Sequence, residues 1–199
     1  MSSQHFLTLF YFLLLSCNTI TSSTSSSQND ETFDFVRPID RKLLLGLNNM
    51  EKLSHLKFYW HDIMSGKNPT SFTVVPSPLK LNSTFSFGLV TMMDDPLTSG
   101  PELSSKLVGK CQGFYASTSQ DNFAFLMAMN LAFIEGEYNG SSITILGRNP
   151  VQDKVREMPV VGGSGVFRFA RGYAQLTTYS YDPKNAIAVV EYNVYVSHY

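Results

Sequence analysis

The sequence has few cysteines, few charges and no excess of either sign. Its 199 residues include 2 Cys, 15 Lys and Arg, and 16 Asp and Glu, so the formal net charge is −1 at pH 7. Charged residues make up 16% of the chain, against about 25% in an average globular domain. Nucleic-acid-binding proteins normally carry a basic face, and the balanced charge argues against that class.

Residues that bind metals or cofactors are also scarce. The chain has 4 His, and none of them pairs with a carboxylate or a cysteine at the spacing of a zinc or iron ligand set. The dinucleotide fingerprint GxGxxG, the phosphate loop GxxxxGK[ST] and the nucleophile elbow GxSxG are all absent. We therefore expect no metal and no cofactor.

Only one long apolar run is present, and it lies near the start. Phe6–Leu15 carries no charge and is followed by a Ser/Thr-rich tract, Ser16–Gln28. The run is about half of the roughly 20 residues that a membrane-spanning helix needs, so it predicts a secretory signal peptide at 1–25. We expect a secreted, extracellular protein with no membrane segment, and an N-terminal extension at 26–52.

In a secreted protein, two sequence triplets predict glycosylation sites, and the number of cysteines decides whether a disulfide can form. Asn82 and Asn139 each begin an Asn-X-Ser/Thr triplet within a polar turn, and both are predicted N-glycosylation sites. Cys17 lies in the leader, which leaves Cys111 alone in the mature chain and excludes an internal disulfide. Cys111 lies in an apolar stretch, where a small buried side chain is expected.

From His55 onward the hydrophobic pattern has the period of a β-strand. Alternation predicts one face made of Leu56, Phe58, Trp60 and Asp62. It predicts the opposite face from His55, Lys57, Tyr59 and His61. A single carboxylate, Asp62, therefore shares the apolar face.

Further strand-like runs follow, separated by turn residues. They are Phe72–Val75, Phe85–Met93, Val108–Ser117, Phe123–Tyr138, Ser142–Leu146, Val155–Val161, Val166–Tyr181 and Ala188–Ser197. The turn signals are Gly66–Pro69, Asp94–Pro96, Asn139-Gly140, Gly162–Gly165 and Asp182–Asn185. Asn-Gly is a strong hairpin signal, which favours a strand over a helix at Phe123–Tyr138. About eight strands indicate an all-β sandwich or a closed barrel, and long strands without charged edges favour the barrel.

Several blocks in one order resemble the plant dirigent proteins. The matching blocks are Phe58–Ile63, Asp95–Thr98, Val108–Tyr115, Asn139–Ile143, Arg156–Gly165 and Phe167–Tyr173. The resemblance covers 53–199 and implies an eight-stranded antiparallel β-barrel related to allene oxide cyclase. It also implies a homotrimer, with a homodimer as the alternative, secreted to the plant apoplast.

The resemblance implies a function in phenol chemistry. An external oxidase such as a laccase generates phenoxy radicals, and the barrel imparts stereoselectivity on their coupling to lignan-type products. The alternative is a pterocarpan synthase-like dehydratase-cyclase that acts on an isoflavanol through a quinone methide. A cell-wall structural module ranks last, because the chain has no lectin domain or repeat.

Three residues are candidates for the chemistry. Asp62 follows apolar residues into the interior, where burial should raise its pKa and keep part of the population protonated as an acid. Taken without the resemblance, Asp62 reads more readily as a strand-end carboxylate that caps a turn. Arg156 is expected to bind a phenolate or the carboxylate, and Tyr115 to donate to a phenolic oxygen.

The predicted substrate-binding residues are a larger set: Asn149, Ser164, Phe167, Phe58 and Trp60. Lignan-forming dirigents typically carry Gly-Ala-Asp-Pro where this chain has Gly147–Pro150, so an amide replaces a second acid. An amide donates a hydrogen bond but does not transfer a proton. The Leu-Gly-Arg-Asn motif at 146–149 therefore places the chain in a branch of the family with more varied phenols.

Overall fold

The computed structural model of the protein describes residues 51–78 and 84–199. The predicted signal peptide, nearly all of the predicted extension and the triplet residue Asn82 lie outside the described residues.

Strands account for most of this region, because apolar and polar residues alternate along it. In the C-terminal strand, for example, Val190, Tyr192, Val194 and Val196 are buried and the residues between them are partly exposed. The strands in the described residues are β1 Lys52–Ile63, β2 Ser71–Val75, β3 Val90–Thr98, β4 Leu107–Ser117, β5 Ala124–Phe133, β6 Ser142–Pro150, β7 Arg156–Ser164, β8 Arg171–Asp182 and β9 Ile187–His198.

The strands close into a barrel in which all neighbours are antiparallel. The order is β1-β9-β8-β7-β6-β5-β4-β3, and pairing of Trp60 with Leu97 joins β1 to β3. β2 pairs with the first half of β3, and β1 pairs with its end, so β1 and β2 lie end to end along β3. The predicted eight-stranded antiparallel barrel is confirmed.

The alternation predicted for β1 is confirmed. The buried apolar face contains Leu56, Phe58, Trp60 and Asp62. Tyr59 and His61, on the opposite face, are buried as well. The Tyr59 hydroxyl donates to Glu191, and the His61 ring contacts the Thr98 hydroxyl at 2.6 Å. The outer face of this strand is therefore covered by polar contacts at Tyr59 and His61, whereas His55 and Lys57 on the same face are exposed.

β5 returns to β6 at the predicted position through a longer connection. The strand ends at Phe133, and a short 3-10 turn spans Gly136–Tyr138. Asn139 has φ −55° and Gly140 has φ +77°, which is the pattern of a type II turn rather than the two-residue hairpin that Asn-Gly favours. Asn139 is exposed.

The prediction of a turn at Asp94–Pro96 is wrong, because β3 runs through these residues. The Asp94 N–H donates to Thr70 O on the side of β3 that β1 and β2 share. The nitrogen of Pro96, two residues further along β3, faces the same side. At that side, the residues of β3 before Pro96 pair with β2 and the residues after it pair with β1, so Pro96 lies in the gap between the two pairings. A missing N–H is tolerated where no strand needs it. β7 likewise continues to Ser164, through the predicted turn at Gly162–Gly165.

One end of the barrel is filled by aromatic side chains. Phe167 stacks on Tyr138 at 5.1 Å, and it lies 5.8 Å from Phe133 and 5.0 Å from His198 between ring centroids. Cys111 is a free, fully buried cysteine in the barrel interior, as predicted. None of the helical segments in the described part of the chain has the length and apolar character of a membrane span.

Candidate functional site

The barrel end filled by Phe133, Tyr138, Phe167 and His198 is called the aromatic plug. The opposite end, called the acid end, contains buried polar side chains from several strands. Successive strands run in opposite directions, so the ends of β1, β4 and β6 meet the starts of β5 and β7. Asp62 lies at the end of β1, Tyr115 near the end of β4, Asn149 near the end of β6 and Arg156 at the start of β7. All four are buried.

Asp62 is held at one carboxyl oxygen and has no protein partner at the other. The Tyr115 hydroxyl donates to Asp62 Oδ2 at 3.1 Å, whereas Oδ1 is buried without a hydrogen-bond partner among the described residues. Burial raises the pKa of Asp62, and the neighbouring hydroxyls of Ser71 and Tyr115 oppose that rise. The site therefore contains an acid with one buried oxygen that no described protein group satisfies.

Tyr115 is a neutral hydrogen-bond donor. Burial is the main cause that raises its pKa, and the charge and hydrogen bond of Asp62 raise it further. The ring packs edge-on against Phe125 at 5.2 Å, and the hydroxyl also lies 3.5 Å from the sulfur of Met64. This packing fixes the hydroxyl beside the carboxyl of Asp62.

Arg156 and Asn149 have buried polar atoms that no described protein group satisfies. Arg156 Nη1 donates to Val151 O at 3.3 Å, but its Nε and Nη2 have no acceptor within the described chain. Asn149 Oδ1 is likewise buried, and no group of the described chain donates a hydrogen bond to it. Burial lowers the pKa of Arg156. Unsatisfied buried polar groups are costly, so these atoms are suited to binding a polar ligand.

The other predicted binding residues lie in different parts of the barrel. Trp60 lies beside the acid end, and its indole N–H donates to Asp95. Phe58 is in the middle of the core, stacked on Tyr192 at 5.6 Å. Phe167 belongs to the aromatic plug, and Ser164 is exposed at that same end, where its hydroxyl bonds that of Ser142 at 2.7 Å. Ser164 and Phe167 are thus not brought together with Asp62.

Sequence reasoning missed a second buried carboxyl, Asp95. Its Oδ2 accepts from Trp60 Nε1 at 2.7 Å, and its Oδ1 accepts from Thr70 at 2.5 Å and from Ser71 at 3.0 Å. Burial, together with the charge of Asp62, raises the pKa of Asp95 to about 7 despite these donors. The alternation of Thr91, Met93, Asp95 and Leu97 indicates its inward position, but the Asp-Asp-Pro sequence predicts a turn instead.

Side chains that bind metal are not gathered in this region. In residues 51–78 and 84–199, no group of three or more His, Cys, Asp or Glu side chains is arranged to hold a metal ion. The polar groups at the acid end are carboxyls, hydroxyls, an amide and a guanidinium, which are donors and acceptors suited to a neutral or anionic organic ligand.

Comparison with known proteins assigns the chain to a family. The family model described as Dirigent-like protein matches residues 53–197. The chain belongs to the dirigent family. The match spans the whole barrel and includes Asp62, Tyr115, Asn149 and Arg156.

Individual dirigent relatives are similar over most of their length. Dirigent protein 7 of Arabidopsis thaliana is 55% identical over 166 residues, which cover 83% of this chain and 87% of that protein. Pterocarpan synthase 1 of Glycyrrhiza echinata is 51% identical over 150 residues, covering 75% and 80%. The solved structure of the pterocarpan synthase dirigent protein GePTS1 superposes with a TM-score of 0.70 at 50% identity, covering 75% of this chain and 86% of that one.

Proposed function

We propose that this protein binds a plant phenol at the acid end of the barrel and controls the face on which a nucleophile adds to its quinone methide. In the main candidate function, an external oxidase such as a laccase forms phenoxy radicals. Their coupling on the protein gives optically active lignan-type products. The observation that supports this proposal is the Asp62 carboxyl, which is buried, has a raised pKa and is held by Tyr115 at one oxygen only.

The chemistry of a quinone methide requires such an acid. When a nucleophile adds to the exocyclic carbon, the ring regains aromaticity and its carbonyl oxygen becomes a phenolate. A proton from Asp62 converts that phenolate to a phenol as the new bond forms. The attacking hydroxyl loses its own proton in the same addition, and that proton returns to the Asp62 carboxylate, directly or through solvent, so the number of protons is unchanged. A water-poor interior makes this proton transfer more effective than it is in bulk solvent.

Arg156 and Asn149 are suited to orient the phenol. The guanidinium presents two buried donor nitrogens, Nε and Nη2, without protein acceptors. Phenolic and methoxy oxygens are acceptors that such donors bind. Fixing the ring between Asp62 and Arg156 would expose one face to the nucleophile, which is the basis of stereocontrol.

A second candidate function is a dehydratase-cyclase that acts on an isoflavanol without an oxidase. It is favoured by the protonatable Asp62 and by pterocarpan synthase relatives at about half identity. Asp62 would protonate the benzylic hydroxyl, the C–O bond would break, and water would leave. The phenol para to that carbon loses its proton to solvent and becomes the quinone methide carbonyl. A second phenolic hydroxyl then adds to the benzylic carbon and gives its proton to the Asp62 carboxylate, and the carbonyl recovers a proton from solvent.

Partners and location follow from the same assignment. We propose a secreted glycoprotein of the plant apoplast that assembles as a homotrimer. A row of exposed apolar residues supports self-association: Phe72, Met92, Phe114 and Leu146 lie in register on neighbouring strands, with Ala128 between the last two. Exposed apolar rows on a barrel are typical of protein contact surfaces.

One experiment separates the two functions. Purified protein is incubated with a monolignol plus laccase, and separately with an isoflavanol and no oxidant, and products are analysed by chiral chromatography. The main function predicts enantiomeric excess only in the first mixture, whereas the second predicts pterocarpan only in the second. Racemic coupling products together with unchanged isoflavanol would contradict both.

A further inference from the structure

Asp95 is a buried carboxyl whose two oxygens both have protein partners. Its Oδ2 accepts from the Trp60 indole N–H at 2.7 Å, and its Oδ1 accepts from the hydroxyls of Thr70 at 2.5 Å and Ser71 at 3.0 Å. The residue has no measurable solvent exposure. Asp62, in contrast, has one buried oxygen without a partner in the described chain. Asp95 is therefore suited to hold protein groups in place rather than to bind a ligand.

The three donors to Asp95 come from consecutive parts of the chain. Trp60 is in β1, Thr70 is in the connection that follows β1, and Ser71 begins β2. The backbone closes the same connection, because the Thr70 N–H donates to Ile63 O at 2.8 Å. Asp95 is thus the side chain at which β1, β2 and the connection between them meet.

Asp62 lies across from Asp95 at the edge between β1 and β3. The two strands pair at Trp60 and Leu97, and the same antiparallel register, continued by two residues, places Asp62 opposite Asp95. The backbone ladder does not extend that far, because Pro96 has no N–H to continue it. The side-chain hydrogen bonds of Asp95 therefore replace ladder bonds at the point where β1 carries the acid.

The groups that Asp95 holds lie on both sides of Asp62 along the chain. Trp60 precedes Asp62 by two residues on the same buried face of β1. Ile63, whose carbonyl oxygen accepts from Thr70, follows Asp62 directly. A change at Asp95 is thus transmitted to β1 both before and after the acid, without contact between Asp95 and a substrate.

We propose that Asp95 is a positioning residue that fixes the Trp60 indole and the Asp62 carboxyl in relation to each other, and thereby sets the stereoselectivity of the site. Without its acceptors, three buried donors lose their partner, and β1 and the connection shift until those donors find others. Small displacements of a reacting group are costly. The effect on products rests on the proposed function, whereas the effect on Trp60 does not.

The position of Trp60 can be measured without a substrate, because it is the single tryptophan of the chain. In the full mature protein labelled with ¹⁵N, its indole N–H gives one NMR signal. We expect slow exchange of this proton with solvent in the wild type and in Asp95→Asn, which keeps the shape and one acceptor oxygen. In Asp95→Leu, which has the same branching without acceptors, exchange should be at least about tenfold faster. Equal exchange rates in the wild type and Asp95→Leu would overturn the proposal.

Stereoselectivity in laccase-driven coupling separates a positioning role from a loss of folded protein. A partly unfolded variant is compensated by adding more protein, so its enantiomeric excess rises to the wild-type plateau. A folded but poorly positioned site has a lower plateau at any protein concentration. We expect the ratio of the major to the minor enantiomer at the plateau to fall about threefold to tenfold in Asp95→Leu. Asp95→Asn should restore most of that loss.

Asp94→Leu is the matched control for this measurement. It is the same substitution at the adjacent residue, which is exposed and bonded to Lys110 outside the barrel. Its plateau and its indole exchange rate should equal those of the wild type. An equal loss in Asp94→Leu and Asp95→Leu would show that the effect does not depend on the buried hydrogen bonds.

Thr70→Val tests one of these hydrogen bonds in a variant that preserves the shape of the side chain. It removes one donor to Asp95, and the loss of plateau selectivity should be smaller than in Asp95→Leu. The double variant that combines both changes should be no worse than Asp95→Leu alone, since both changes remove the same hydrogen bond. Additive losses would mean that Thr70 and Asp95 act independently, contrary to the proposal.

Failure of this inference can be distinguished from failure of the proposed function. If Asp62→Asn keeps full selectivity, the acid role of Asp62 is wrong, and the indole signal still decides whether Asp95 holds Trp60. If Asp62→Asn loses selectivity but Asp95→Leu keeps the wild-type plateau, the proposed function stands and the positioning role is wrong. For a protein that turns over an isoflavanol, kcat of the folded variants replaces the plateau in the same comparison.

Discussion

The Tyr115 hydroxyl donates to Asp62 Oδ2 at 3.1 Å and thereby joins β4 to the end of β1 across the interior of the barrel. The two residues lie 53 positions apart in the sequence. The contact fixes one oxygen of the acid and leaves Oδ1 without a protein partner. Tyr115 therefore determines which oxygen of Asp62 is left without a protein partner.

Replacing Tyr115 by Phe should weaken the function without unfolding the barrel. The ring keeps its contact with Phe125, but Asp62 loses the hydroxyl that holds Oδ2, so the carboxyl is no longer oriented even though its pKa should rise. A hydrogen bond to a charged group is typically worth about 1.5–3 kcal/mol, and we expect stereoselectivity or turnover to fall roughly tenfold or more. Chiral product analysis measures it. Tyr181→Phe, on an exposed side chain of β8, is the control, and equal effects of both changes would refute the role of Tyr115.

The raised pKa of Asp95 also predicts how stability depends on pH. The carboxyl is protonated up to about pH 7 when folded but only to about 3.8 when unfolded, so the folded state binds more protons in that window. Stability from this group is present below pH 4 and is lost as the pH rises to about 7, by at most about 4 kcal/mol.

Urea unfolding at several pH values measures this dependence. The free energy of unfolding of the wild type should decrease relative to that of Asp95→Asn as the pH rises from about 4 to about 7. A constant difference between the two proteins across this range would show that Asp95 has an ordinary pKa.

The apolar row on the outer surface predicts the assembly. Phe114 lies in the middle of the row, between Met92 and Ala128 on the adjoining strands. Replacing it by Asp should convert the proposed trimer to monomers, because a charge would be buried in an apolar contact. Sedimentation at micromolar concentration measures the change, with Tyr181→Asp on the opposite side of the barrel as the control. A monomeric wild type would contradict the prediction.

The secretion prediction concerns the mature chain and its glycans. We expect the mature N-terminus between about Ser22 and Asp30, and glycan on Asn82, Asn139 or both. The exposed turn at Asn139 leaves room for a glycan. Mass spectrometry before and after glycosidase treatment tests both points. An intact Met1 together with an unchanged mass would show that both expectations are wrong.

The fold was largely predictable because alternation is a local property. The pattern Leu56, Phe58, Trp60, Asp62 correctly predicts the interior face of β1. The turn residues correctly predict the connections that follow β1, β5 and β8. Closure of the barrel was harder to predict. It depends on the pairing of Trp60 with Leu97 and on β1 and β2 pairing with the same edge of β3. Those contacts are set by tertiary packing, which a local pattern does not record.

The site was predictable only where its residues follow a strand pattern or a family motif. Asp62, Tyr115, Asn149 and Arg156 are found at one end. Asp95 was missed because Asp-Asp-Pro resembles a turn, and only the gap between the β1 and β2 pairings allows Pro96 in a strand. Ser164 could not be placed from a run of glycines, because β7 continues through them to the opposite end.

The most direct test of the account is Asp62→Asn. Asn is nearly isosteric with Asp and keeps an acceptor for Tyr115, but it has no acidic proton to give to the quinone methide oxygen. General acid catalysis is worth about 100- to 10,000-fold, so stereoselectivity in laccase-driven coupling, or turnover of an isoflavanol, should fall to background. Circular dichroism should show an unchanged fold, and Asp94→Asn should behave like the wild type. Full selectivity or turnover in folded Asp62→Asn would contradict the central claim that Asp62 is the acid of this site.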